Sequence, residues 1–162
     1  MRIIGIDPGT AIIGWGVIDD AGGNLATLAY GHITTPAKMP LAERLPIIEE
    51  ALSKILGEWK PEEASVEELF FYNNQKTVIS VAQARGAILL TLSHFHVNIF
   101  GYTPLQVKQA LTTYGRADKH QVQQMVKSVL KLGEIPKPDD TADALALAVC
   151  HSSARKMNRL RS

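Results

Sequence analysis

The sequence predicts one α/β domain built on a five-stranded mixed sheet flanked by helices. Three observations predict it. The first third of the chain holds three strand-like segments joined by short glycine-rich turns. The remainder alternates helical with extended patterning. The length, 162 residues of which 46% are hydrophobic, suits one well-packed core and is short for two.

In order, Ile3–Ile6 is a continuous apolar run, as a central strand requires, and Asp7-Pro8-Gly9 stops it with turn chemistry. Ile12–Ile18 and Leu25–Thr34, with Ala21-Gly22-Gly23-Asn24 between them, read as two further strands of a meander. Leu41, Leu45, Ile48, Leu52 and Ile55 keep the rhythm of an amphipathic helix, with Gly57 placed to end it. Ala64–Glu68 lies between two helices, where a parallel strand is expected in a βαβ unit. A second helix fits Lys76–Ser93, and a fifth strand fits Val97–Phe100. Thr103-Pro104-Leu105-Gln106 is a capping box with proline at the first helical position. A helix opened by Asp118-x-x-Gln121 carries the stripe Val122, Met125, Val126, Val129 and Leu130, with Gly133 as its stop. The last helix spans about Asp140 to Arg155, and its small residues Ala142, Ala144, Ala146 and Ala148 allow it to approach a sheet closely. Residues 1–155 are therefore expected to form the domain and 156–162 a short basic tail.

No apolar run approaches the ~20 residues that span a bilayer, and no signal-peptide pattern precedes the first strand. A cytoplasmic protein without a membrane partner is expected. Cys150 is a lone cysteine in an apolar stretch, with no disulfide or zinc partner, and reads as core. The five histidines have no convincing metal-ligand spacing. The formal charge of +1 hides an asymmetry: Met1–Gln75 holds 5 Lys+Arg against 11 Asp+Glu, Lys76–Ser162 12 against 5. The basic half suggests a surface for a polyanion, against ordinary solvated charge as the plainer reading.

Four carboxylates carry the candidate chemistry. Asp140 and Asp143 are three residues apart in the first turn of the last helix and leave one face of it, although acids are common there for capping reasons. Asp7 ends an apolar strand, an expensive place for a charge unless a cation compensates it; a turn-capping role before Pro8-Gly9 is the alternative. Glu67 ends the fourth strand, which would lie beside the first, and Glu68 would point to the other face. If the four meet, an all-oxygen shell selects Mg²⁺ or Mn²⁺ over zinc. Lys119, in the first turn of a helix, opposes the helix dipole, and a bound phosphate would reverse that cost. Phe70-Phe71-Tyr72 could set an aromatic against an unstacked base, though such clusters are more often core.

Gly5-Ile6-Asp7-Pro8-Gly9-Thr10, Val66-Glu67-Glu68-Leu69-Phe70, Gln83-Ala84-Arg85-Gly86 and Asp140-Thr141-Ala142-Asp143-Ala144-Leu145 resemble, in order, motifs of the RuvC family of Holliday junction resolvases. Gln106–Gln109 and Ala117–Val126 look like that family too. The resemblance implies a ribonuclease H-like fold and a homodimeric endonuclease that cuts two opposed strands of a four-way DNA junction, with two Mg²⁺ ions per subunit. It implies catalytic and metal-binding roles for Asp7, Glu67, Asp140 and Asp143, with Lys119 beside them. It puts DNA contacts at Phe70, Lys108 and Lys119, to which the basic residues Lys76, Arg85 and Arg116 are added as candidates. A branch-migration motor is a further partner it suggests. Three rivals stand beside it. A ribosomal-RNA-processing nuclease of the same fold has a similar first strand, and Asp7-Pro8-Gly9-Thr10 also resembles the phosphate loop of actin-type and sugar-kinase ATP-binding proteins, which need two such lobes. A non-catalytic junction-binding module is the third.

Overall fold

The structure is a computed structural model that describes residues 1–69, 75–112 and 115–159. Its strands are β1 (Arg2–Asp7), β2 (Ile12–Ala21), β3 (Asn24–Thr34), β4 (Glu63–Glu67) and β5 (Asn98–Tyr102). The helices are α1 (Leu41–Trp59), α2 (Gln75–His94), α3 (Pro104–Thr112), α4 (Lys119–Val129) and α5 (Asp139–Arg159). The strands form one sheet in the order β3-β2-β1-β4-β5. β1 pairs antiparallel with β2 and parallel with β4, so the sheet is mixed, as the sequence pattern predicts.

β1 is central because both of its faces are apolar. Ile4 and Ile6 pack with Ile48, Leu52 and Leu56 of α1 and Ala84, Ile88 and Leu92 of α2. Ile3 joins the core of α3, α4 and α5 on the opposite face, where Cys150 is buried. Both expected capping boxes are present: Gln106 N donates to Thr103 Oγ1 and Gln121 N to Asp118 Oδ1, each answered by the glutamine side chain on the cap N–H.

Several element ends differ from expectation. α1 runs past Gly57 and stops at Lys60, which takes the left-handed conformation with its N–H on the Leu56 carbonyl. α4 ends well before Gly133, and Lys131 supplies the left-handed residue there. Non-glycine residues thus terminate both helices, each bearing a strain that glycine would avoid. β5 lies one to two residues later than predicted because Tyr102 pairs with Glu67. α5 continues to Arg159, so the first residues assigned to a basic tail are helical.

The contact that organises one face is α5 against β1 and β2. A Cβ built on Gly5 would overlap the Ala144 carbonyl oxygen, and one on Gly14 the Asp140 carbonyl oxygen. The small residues of α5 thus meet glycines, and backbone touches backbone. Side-chain ties fix the helix along its length: Thr141 Oγ1 donates to the Gly31 carbonyl at 3.2 Å, and Ser152 Oγ to Asp20 Oδ2 at 2.7 Å. Farther along, the fully buried His151 lies 2.6 Å from Glu63 and 2.7 Å from the Tyr102 hydroxyl, and Arg155 reaches the same Glu63 oxygen at 2.8 Å.

A ranking of substitutions follows. At Gly5 the obstacle is backbone, whereas at Gly16 it is the end of the Leu145 side chain, which can rotate. Gly5→Ala is expected to lose about 3 kcal/mol or more, and Gly16→Ala about 1 kcal/mol. Chemical denaturation measures both; equal losses would contradict the packing described.

Candidate active site

The sheet register sets the first two carboxylates side by side. Ile6 pairs with Val66, so Asp7 and Glu67 follow on neighbouring strands, on the α5 face of the sheet. They share a hydrogen bond. α5 then delivers Asp140 and Asp143 above them, because its first turn rests on Gly14, the partner of Asp7 in β2. The N-terminal end of the α5 dipole favours negative charge at this point.

Burial and crowding dominate the electrostatics. Burial, then repulsion from Glu67, Asp143 and Asp140, pushes the Asp7 carboxyl up to about 8. Burial also raises Glu67, against the opposing pull of that hydrogen bond and of Lys119. Asp143 is raised by burial as well, although Lys119 Nζ stands 3.0 Å from its Oδ2. Despite partial burial, which pulls the other way, Asp143 and Asp139 hold the Lys119 ammonium above its usual value. The pair does not disagree: Lys119 is firmly charged, and one exposed cation offsets but does not cancel the burial of Asp143.

All four predicted carboxylates and Lys119 therefore come together at one end of β1 and β4. They do so as pairs, Asp7 with Glu67 and Asp143 with Lys119, and among the described residues no three His, Cys, Asp or Glu side chains are gathered tightly enough to hold one ion. The donor set still fits a hard divalent cation. It is all oxygen, two of its members are largely buried, and the nearest protein cation is committed to α5. Lys108, on α3, lines a pocket together with Glu67, Lys119 and Asp143. Arg116 is exposed in the turn before α4. Phe70 and the Lys76 side chain lie outside the described residues.

One residue and one contact escaped the sequence reading. Asp139 also faces Lys119, at 3.5 Å, and its adjacency to Asp140 was the available signal. Arg85, assigned above to DNA, donates its Nε to the backbone carbonyl of Glu67 at 2.9 Å. No sequence signal marks that contact, since it depends on how α2 packs beside the end of β4.

The family model for "Crossover junction endodeoxyribonuclease RuvC" matches residues 3–151. The chain belongs to the RuvC family. Proteins named as crossover junction endodeoxyribonuclease RuvC include one from Desulfitobacterium hafniense, 52% identical over 161 residues, covering 99% of this chain and 98% of that one. Another, from Halothermothrix orenii, is 50% identical over 159 residues, covering 98% and 96%. Among solved structures, Thermus thermophilus RuvC in complex with Holliday junction substrate superposes with a TM-score of 0.92 at 36% identity, covering 98% of this chain and 96% of that one. The fold is thus ribonuclease H-like, as the RuvC motifs imply. No described helix is long and apolar enough to cross a membrane.

The site makes a prediction about stability. An ordinary substitution of a buried group destabilises, but Asp7 is buried among like charges. Asp7→Asn is expected to raise the melting temperature of metal-free protein at neutral pH, measured in a chelator. A fall in melting temperature would show that the charges are not crowded.

Proposed function

We propose that this protein resolves four-way DNA junctions by Mg²⁺-dependent hydrolysis of two symmetry-related phosphodiesters. The observation that carries the reading is the convergence of Asp7, Glu67, Asp140 and Asp143 beside Lys119 in a RuvC-family chain. The presence of the full acid set argues against a module that only binds junctions. Asp7 and Glu67 on the sheet and Asp140 and Asp143 on α5 would hold two ions, Mg²⁺ or Mn²⁺. When bound, such ions make a water nucleophilic near neutral pH and stabilise the leaving oxygen.

The chain's own residues do the rest. Asp7 and Glu67 would serve as ligands in their ionised form, the proton held between them in the free protein passing to solvent. Asp143, which contacts Lys119 in the free protein, would be a ligand to an ion, and the Lys119 ammonium would then be available to pair with a phosphate. Lys108 supports that phosphate from the facing helix. Arg85 acts through Glu67: its hydrogen bond to the Glu67 carbonyl fixes the end of β4. Phe70 is placed by sequence just beyond Glu67, from where it would stack on an unpaired base, with Lys76 and Arg116 contacting backbone phosphates.

Two cuts require two sites, and a two-fold dimer supplies them. α2 has the surface for it. Ala84, Ile88 and Leu92 are buried, while Ile79 and Leu90, eleven residues apart and so on one outward stripe, are 68% and 58% exposed. Gly86 lies on that stripe with no described residue within 4 Å of an added Cβ, so a partner helix can approach closely. Val78, Val81 and Leu89 of the same helix are only half-buried and extend the patch.

Two outcomes test the reading. Asp7→Asn is expected to reduce junction cleavage at saturating Mg²⁺ by about a hundredfold or more while junction binding persists, the pattern of a lost chemical step. Cleavage above about a tenth of wild type would remove Asp7 from the site. Separately, the paired change Ile79→Asp with Leu90→Glu is expected to convert a micromolar dimer into a folded monomer, read by light scattering, with loss of paired cutting. A dimer that survives both changes would place the interface elsewhere.

A further inference from the structure

A cavity of about 250 Å³ opens beside the carboxylates, between α3, α4 and α5. Part of its lining is charged: Glu67, Lys108, and the contacting pair Asp143 and Lys119. The rest is aliphatic, formed by Pro104 and Val107 of α3, Val122 of α4, and Ala146 and Leu147 of α5. None of these five side chains carries a hydrogen-bond donor or acceptor. The apolar wall is unusual in a site otherwise built from charge, and the proposed hydrolysis leaves it unused.

We propose that this cavity receives one unpaired nucleobase from a nucleotide flanking the cleaved phosphate. The inference rests on the nuclease reading and refines it. Charge fixes the orientation: a phosphate held between Lys119, Lys108 and the acids puts the adjoining nucleotide over the aliphatic wall. Size fixes the number, because pockets for larger ligands run from about 300 Å³ upward and this one is smaller. Chemistry fixes the kind of recognition, since walls without polar groups read shape and apolar surface and not the hydrogen-bonding edges of the base. A base paired within continuous duplex cannot enter. One at a branch point, already partly unstacked, enters at the lowest cost. The pocket thereby couples cleavage to the presence of a junction, and Val107, Val122 and Leu147 become specificity-determining residues.

The test uses the dimeric protein with Mg²⁺ and four-way junctions carrying a single abasic residue at each position around the cleaved phosphate. Single-turnover cleavage is expected to fall about tenfold at one position, the scale of one lost base contact, while junction affinity in Ca²⁺ changes by less than about threefold. Pro104→Trp and Val107→Phe each fill the cavity, the first from an exposed position that leaves the core intact. Either variant, once a thermal melt shows it folded, is expected to cut an intact junction as slowly as wild type cuts the abasic one, with no further abasic penalty. A photoreactive base at the sensitive position is expected to crosslink to residues 104–112 or 119–129. A flat abasic scan by an active enzyme overturns the proposal. So does a penalty that persists in a folded filled variant, or crosslinking to residues 70–76 instead. Absence of any Mg²⁺-dependent junction cleavage would sink the nuclease reading itself, which is a different result.

Discussion

The backbone contact of α5 with β1 and β2 is the constraint on which the rest of the structure depends. Gly5 and Gly14 leave no room for a side chain between helix and sheet, and Ala144 and the first turn of α5 occupy that space. Close packing of this kind is stiff, because neither surface can yield by rotating a side chain. The first turn of α5 is therefore held over the end of β1, and its two acids are held over Asp7. Ties from Thr141 to β3 and from Ser152 to β2 keep the helix from sliding along the sheet. The network of His151, Glu63, Tyr102 and Arg155 does the same at the far end.

That rigidity has an electrostatic consequence. Four carboxylates fixed together without a full complement of cations destabilise one another, and Asp7 holds its proton to about 8 as a result. Functional sites commonly carry such a burden, because the charge that destabilises the protein alone binds the cation it needs. Lys119 is the partial remedy within the chain. It pairs with Asp139 and Asp143 of α5 and leaves Asp7 and Glu67 on the sheet hydrogen-bonded to each other. In the proposed reaction the same lysine would serve two anionic partners in turn, the acids of α5 and a substrate phosphate.

Much of this was legible in the residues. The apolar run of β1, the glycine-rich meander and the two capping boxes carry local signals strong enough to read one at a time, and the strand and helix order followed from them. Asp7 and Glu67 could be placed on one sheet edge by strand periodicity, and Asp140 and Asp143 on one helix face by their spacing. Less legible were features decided by distant packing. Gly57 looked like a stop, yet α1 continued through it because Trp59 also packs against the core on that face. The hydrogen bond from Arg85 Nε to the Glu67 carbonyl depends on how α2 packs beside β4, which no local pattern shows. The aliphatic cavity left no trace in the sequence, since its walls come from three helices and each residue reads as ordinary core.

If these acids hold the metal as proposed, the seat of α5 on the sheet, and not the acids alone, creates the site. Gly14→Ala tests it most directly, because the added methyl would displace the Asp140 carbonyl while leaving every carboxylate in the chain. Mn²⁺ affinity measured by calorimetry on the folded variant is expected to fall by about tenfold or more, as for a ligand set pulled out of geometry. Wild-type affinity in that variant would contradict the account.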